Sequence, residues 1–235
     1  LASPLANAVT RSNAVDMTAQ QLMADALTEN GQSIGWAIDW NITDWLVPAG
    51  TWSHTGSAIE ACTTIASAAG AYLQAHRKDQ ILRVMPRYPS APWEWGALAP
   101  DIELPEAVCV TEGIEYVNQP AYNRVFVSGT TAGVTGQITR TGTAGNIIAP
   151  MVTDPLITHA DAARQRGMSI LANTGRQKHI TLSLPILPET GIIQPGTTVR
   201  YVEQGTEHIG IARAVSVTAS FPNVKQQLRI ESHVI

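Results

Sequence analysis

Six histidines stand at positions 54, 76, 159, 179, 208 and 233 of this 235-residue chain, and no two share a metal-binding spacing. HExxH sets two ligands on one helix turn and CxxC sets two on one loop; neither motif occurs, so no zinc site is expected. Cys62 and Cys109 make no disulfide framework, neither lies in a nucleophile motif, and there is no GxSxG elbow. The Gly-rich stretches 128–136 and 141–146 lack the Lys-Ser/Thr ending and helix start that cradle phosphate, and read as hairpin turns. No cofactor is expected. What remains is a set of carboxylates, Asp39, Asp44, Glu60, Glu94 and Asp101, in the half that also holds all six tryptophans, at 36, 40, 45, 52, 93 and 95. Two carboxylates about 5–9 Å apart beside a sugar-stacking ring would make a glycosidase. Acids on a solvated surface explain the same residues. Trp36 and Trp40 fall on one face of a strand, where they fill a core, anchor a protein interface or stack on a glycan. Core filling ranks first, a protein interface second and a glycan platform last; the polar atom on the indole edge favours the interface over a fully dry core.

The elements that must place these residues are legible in part. Thr18 to Gly31 reads as a helix, with Thr18 and Gln21 as a capping box and Met17 stapled to Leu22. A strand follows over Ser33–Trp40, then a loop through Pro48-Ala-Gly50. Ser57 and Glu60 open a second helix running to about His76, with Cys62, Ile65, Ala66, Ala69, Tyr72 and Leu73 as its buried stripe. Ile81–Met85 is a short strand. Residues 1–16 are an extended connector, and the proline-rich stretch 86–121 holds the domain boundary. The division expected is an α+β module over 1–112 and a β-barrel-like domain over 113–235.

That second domain is an antiparallel barrel interrupted by one helix, over 158–174. Thr158 caps it, Asp161 sits near its positive end, and Ile157 and Ala162 occupy staple positions. Asn173 and Gly175 stop it, after a rod of roughly 22 Å. Ala160, Ala163, Gly167, Ile170 and Leu171 form a narrow, mostly small-residue face suited to close packing on the sheet or on another copy. Around it, Val125–Val127, 134–140, His179–Leu184, 215–221 and 228–234 alternate as strands of one sheet system, with Pro195-Gly196 as a type II turn.

Charged residues make up only 14% of the chain against 44% hydrophobic, with a net charge of −4. A surface so short of charge suits a chain covered by partners; an uncharged monomer is the other reading. No cluster of Lys or Arg offers a footprint for nucleic acid, and no apolar run approaches a membrane span. The opening Leu-Ala-Ser-Pro lacks a signal peptide and suggests a fragment whose preceding residues were removed or never included.

The order of parts carries a resemblance. A Gly-ended helix and a Trp-bearing strand precede VPAGTWSHTGSAIEACTTIASAAGAYLQAHR, ILRVMPRYPSAPWEW, a β half broken by one helix, and QPGTTVRY. This resembles the hub proteins at the tip of bacteriophage tails, including baseplate-hub and late-control tail proteins and the hub part of type VI secretion spike proteins. RYPSAPW and QPGTTVRY carry most of the likeness. The resemblance implies a homotrimer in which each chain supplies two barrels to a six-barrel ring, joining the tail tube to a spike or fibre. One barrel is visible here, so the other would precede Leu1. It implies no catalytic residue, and a place in the virion tail, or in the host cytoplasm before assembly if prophage-encoded. The interface candidates are Ala160, Ala163, Gly167, Ile170, Trp36 and Trp40. The alternative function is a carbohydrate-binding or peptidoglycan-lytic domain of a phage tail, using the tryptophans and carboxylates of 36–101.

Overall fold

The computed structural model describes residues 8–130, 133–203, 205–220 and 223–234; Phe221 and residues 1–7 of the expected connector lie outside them. The chain is α+β with strand predominating, and it divides into two compact units. A helical unit joins the segment up to Arg87 with Tyr122–Asn173, and a sheet unit joins Tyr88–Ala121 with Thr174 onward. Each unit is therefore built from two separate stretches, which replaces the expected linear division at 112/113.

In the helical unit, helix α1 (Ala19–Ala26) opens on the expected box: Gln21 N donates to Thr18 Oγ1 at 3.3 Å and Thr18 N to Gln21 Oε1 at 2.9 Å. It ends earlier than the sequence suggests. Asn30 and Gly31, both at positive φ, form the two-residue turn between short strands Thr28–Glu29 and Gln32–Ser33, the geometry Asn-Gly favours. Helix α2 (Ala58–Ala68) also has its box, with Ser57 N donating to Glu60 Oε2 at 2.7 Å. It stops well short of His76. Gly70 takes φ +68°, and Ala71–Ala75, with Tyr72 and Leu73, forms an edge strand beside Ile81–Pro86, which also pairs in parallel with Ala37–Trp40. Leu22, Met23, Ile65, Val84 and Trp45 share one core with Leu156 and Ala162 from the later segment.

Helix α3 (Ala160–Ala172) is the reason for that sharing. His159, not Thr158, is its N-cap; Thr158 Oγ1 instead donates to Leu46 O. On one side α3 packs on the strands Arg124–Ser128 and Thr135–Thr139. The approach is close enough that a Cβ on Gly136 would sit 2.8 Å from Ala163 Cβ, and one on Gly167 would sit 2.5 Å from Ile138 Cγ1. Elsewhere Gln165 Nε2 donates to Thr43 O at 2.9 Å, Arg166 to Ser67 O at 2.6 Å, and Trp45 Nε1 to Leu156 O at 2.9 Å. The strands before α3 thus form a three-stranded sheet with Val152–Thr153, separate from the sheet formed after it. They are not one sheet with an excursion.

The sheet unit holds a six-stranded sheet in the spatial order Ile102–Leu104, Thr198–Glu203, Thr206–Ser220, Asn223–His233, Arg176–Pro185, Val110–Asn118. The first pair is parallel and the rest antiparallel. Leu104, Ile180, Leu182, Leu184, Val199, Tyr201, Ala212, Leu228 and Ile230 form its core. Among the described residues no ladder joins the two end strands, so the expected barrel is not closed by hydrogen bonds.

Candidate functional site

The densest chemistry in the molecule is one that spacing did not reveal. On Thr206–Ser220 the register shifts between Ala212 and Ala214, which face Ile230 and Arg229, leaving Arg213 as the extra residue of a β-bulge. A bulge re-aims its side chain. Arg213 Nε donates to Glu231 Oε2 at 2.8 Å on the neighbouring strand. Glu231, 4% exposed, also accepts from the Tyr88 hydroxyl and lies 3.0 Å from His233 Nε2. The Arg213 guanidinium lies 4.4 Å above the Tyr88 ring, a cation–π distance. Trp95 meets the His233 ring edge-on at 5.4 Å and donates its indole N–H to Ser90 O at 3.2 Å.

Burial alone would raise the Glu231 pKa. The His233 and Arg213 hydrogen bonds, the Arg213 charge and the Tyr88 hydroxyl outweigh it and hold the carboxyl well below the ordinary range. Both carboxylate oxygens are engaged, so the group stays ionised and fixed. Such a group makes a poor proton shuttle and a good anchor: Tyr88 and Trp95 bind the 88–97 stretch to the sheet through it. Desolvation pushes the nearby His179 down. Tyr88 lies within the RYPSAPW stretch, a signal the sequence offered, whereas nothing local marked Arg213 as a bulge residue.

The carboxylates considered for glycoside chemistry are divided between the two units. Asp39, Asp44 and Glu60 belong to the helical unit, Glu94 and Asp101 to the sheet unit. Asp39 is paired with Arg83 at 3.1 Å, and Asp44 Oδ1 accepts from Gln20 N and Trp45 N. The Ser57 backbone and hydroxyl hold the Glu60 carboxyl below its usual range, and Asp101 Oδ2 accepts from Thr198 N. The tryptophans divide likewise. Trp45, Trp52 and Trp95 are buried; Trp36 and Trp40 are half-buried against the helical core, Trp40 with its ring 6.1 Å from Trp45. Of the α3 face, Ala163 and Gly167 are buried against their own chain, which corrects their expected role between copies. Ala160 is exposed and Ile170 half-buried. Among the described residues, no group of three or more His, Cys, Asp or Glu is placed to hold a metal, and no helix is long and apolar enough to cross a membrane.

No protein-family model matches the sequence, and no curated protein matches it either. Solved structures do. The tail protein from Neisseria meningitidis MC58 superposes over 96% of this chain and 70% of its own, with a TM-score of 0.57 at 15% identity. The 43 kDa tail protein of prophage MuSo2 from Shewanella oneidensis superposes over 94% of this chain and 65% of its own, at TM-score 0.51 and 13% identity. The fold is that of phage tail proteins. An E. coli component of the type VI secretion system, described as similar to T4 bacteriophage tail proteins, matches over 98% of this chain and 51% of its own, at TM-score 0.53 and 10% identity. The tail-protein fold thus takes in both units. The chain spans about two thirds of the Neisseria and Shewanella proteins and half of the E. coli one.

Proposed function

We propose that this chain is a non-catalytic structural subunit of a phage or prophage tail tip, a baseplate hub acting in the virion tail. It assembles as a homotrimeric ring joining the tail tube to the spike or fibre. The observation that carries the reading is the likeness, over nearly the whole chain, to two tail proteins and a type VI secretion component. The sheet supports the barrel part. Its two end strands are consecutive in the chain, with only residues 105–109 between Leu104 and Val110, a reach of at most about 22 Å. Six flat strands would hold their outer members about 24 Å apart, and the intervening turn at Glu106–Val108 shortens the tether further. A curled sheet, as the barrel reading requires, fits that tether. On the helical unit, Ala160, Ile170, Trp36 and Trp40 are the proposed contacts with neighbouring copies or tail proteins.

Electron microscopy of the purified chain tests the reading: threefold rings with a central opening are expected. Turnover of, or retention on, peptidoglycan or surface glycan by a particle without that symmetry would overturn it.

A further inference from the structure

The turn between Thr28–Glu29 and Gln32–Ser33 has only two residues, a length that favours positive φ at both. Asn30, at φ 51°, and Gly31, at φ 76°, meet that need with the residue types that reach it at least cost. The same pair carries a reactive arrangement. An asparagine's amide carbon can close a five-membered ring with the peptide nitrogen of the next residue, and a glycine there has no side chain to hinder the closure. Asn30 is the only asparagine in the sequence followed by glycine. Both residues are exposed, and a Cβ added to Gly31 would meet nothing within 4 Å. Among the described residues, neither the Gly31 N–H nor the Asn30 amide has a hydrogen-bond partner. Other asparagines are held. Asn13, 1% exposed, accepts from Trp52 N and donates to Pro48 O, and Asn123 Oδ1 accepts from Ile147 N. They are followed by Ala14 and Arg124, whose side chains crowd ring closure.

We infer that Asn30 is a site of spontaneous covalent modification, deamidated through Gly31. Water or hydroxide removes the Gly31 amide proton, the nitrogen bonds to Asn30 Cγ, and the side-chain nitrogen leaves as ammonia. The resulting succinimide takes up one water at either carbonyl and opens to aspartate or isoaspartate. One water enters and one ammonia leaves overall, with no oxidant, metal or enzyme required. Each product places a new negative charge beside Glu29, just past the C-terminal end of α1, where the helix dipole disfavours it. Isoaspartate also inserts a methylene into the main chain of a turn whose length sets the pairing of its strands. Ile34 N donates to Leu27 O at 3.0 Å and ties the hairpin to the end of α1, so the modification loosens that end. The chemistry belongs to the helical unit alone and is independent of the hub reading.

Incubating the 235-residue chain in mildly alkaline buffer tests it, with peptide mass spectrometry and electron-transfer fragmentation to separate isoaspartate from aspartate. Asn30 should gain one mass unit, while Asn13 and Asn123 keep their amides. The chain unfolded in guanidinium is the reference. An open turn reacts without unfolding, so the folded rate should lie within about tenfold of the unfolded one. A turn that had to unfold first would react more slowly by the unfolded fraction, about 10³–10⁶-fold. Asn30→Gly keeps a residue type that the turn accepts, and should abolish the mass gain with an unchanged circular dichroism spectrum. An Asn30 that keeps its amide in the folded chain while converting in guanidinium would overturn the inference. So would a mass gain undiminished in Asn30→Gly. Either result leaves the hub reading standing.

Discussion

The helical unit and the sheet unit solve the same packing problem by different means. In the first, capped helices press small side chains against strands, and the interior is apolar: Leu22, Ile65 and Val84 beside Ala61, Ala66 and Ala162. In the second, a sheet with one apolar core also fixes a buried ion pair, with Glu231 between Arg213, Tyr88 and His233. The first unit should thus be sensitive chiefly to shape, with only the exposed capping carboxylate Glu60 tying it to acid, and the second sensitive to charge. A uniquely paired buried charge specifies geometry at a cost in desolvation, and removing one partner strands the other.

The largest expected effect is therefore Glu231→Ala, which leaves the half-buried Arg213 without its counter-charge and should destabilise the sheet unit by up to about 3–5 kcal/mol. Urea unfolding followed by Trp95 fluorescence, with the other tryptophans replaced, measures it. Equal loss in Trp45 fluorescence would erase the contrast between the units. The same carboxylate predicts acid sensitivity. Its pKa is lowered on folding, so the unfolded chain binds the proton more readily. The stabilisation is fully present above the unfolded value of about 4.3 and is lost as pH falls below it toward the folded pKa. Glu231→Gln should flatten that dependence in an acid titration.

Next comes Leu22→Ala in the helical core, expected to cost about 2–5 kcal/mol there and to leave the sheet unit's midpoint unchanged. Gly167→Ala follows, at about 1–3 kcal/mol, because the new methyl meets Ile138. Smallest is Ser57→Ala, about 1 kcal/mol for the lost cap of α2. The two cysteines report on the units separately. Burial pushes the Cys62 thiol up to about 12 and raises that of the half-buried Cys109. Alkylation of Cys62 should therefore accelerate in Leu22→Ala and stay slow in Glu231→Ala, as read by mass spectrometry.

Short-range signals were legible because their causes are local. Thr18 with Gln21 and Ser57 with Glu60 cap their helices as their spacing predicts. Gly70 ends α2 although the apolar spacing of Tyr72 and Leu73 continues a helical stripe, because the strand at Ile81–Pro86 pairs with them instead. Thr158 looked the better cap until Leu46 took its hydroxyl. The small face of α3 was recognised, but Gly136 and Ile138, which fill it, lie more than twenty residues upstream of their contacts. Arg213 carries no local mark at all, since a bulge exists only relative to the strand beside it. Residues of both kinds set the architecture, and only the first kind announce themselves in one dimension.

The backbone passes between the units at 87/88, again at 121/122 and a third time at 173/174. No single genetic crossover can hand either unit intact to another gene. Recombination between related tail genes would have to exchange at all three breakpoints together or inherit both units as one block.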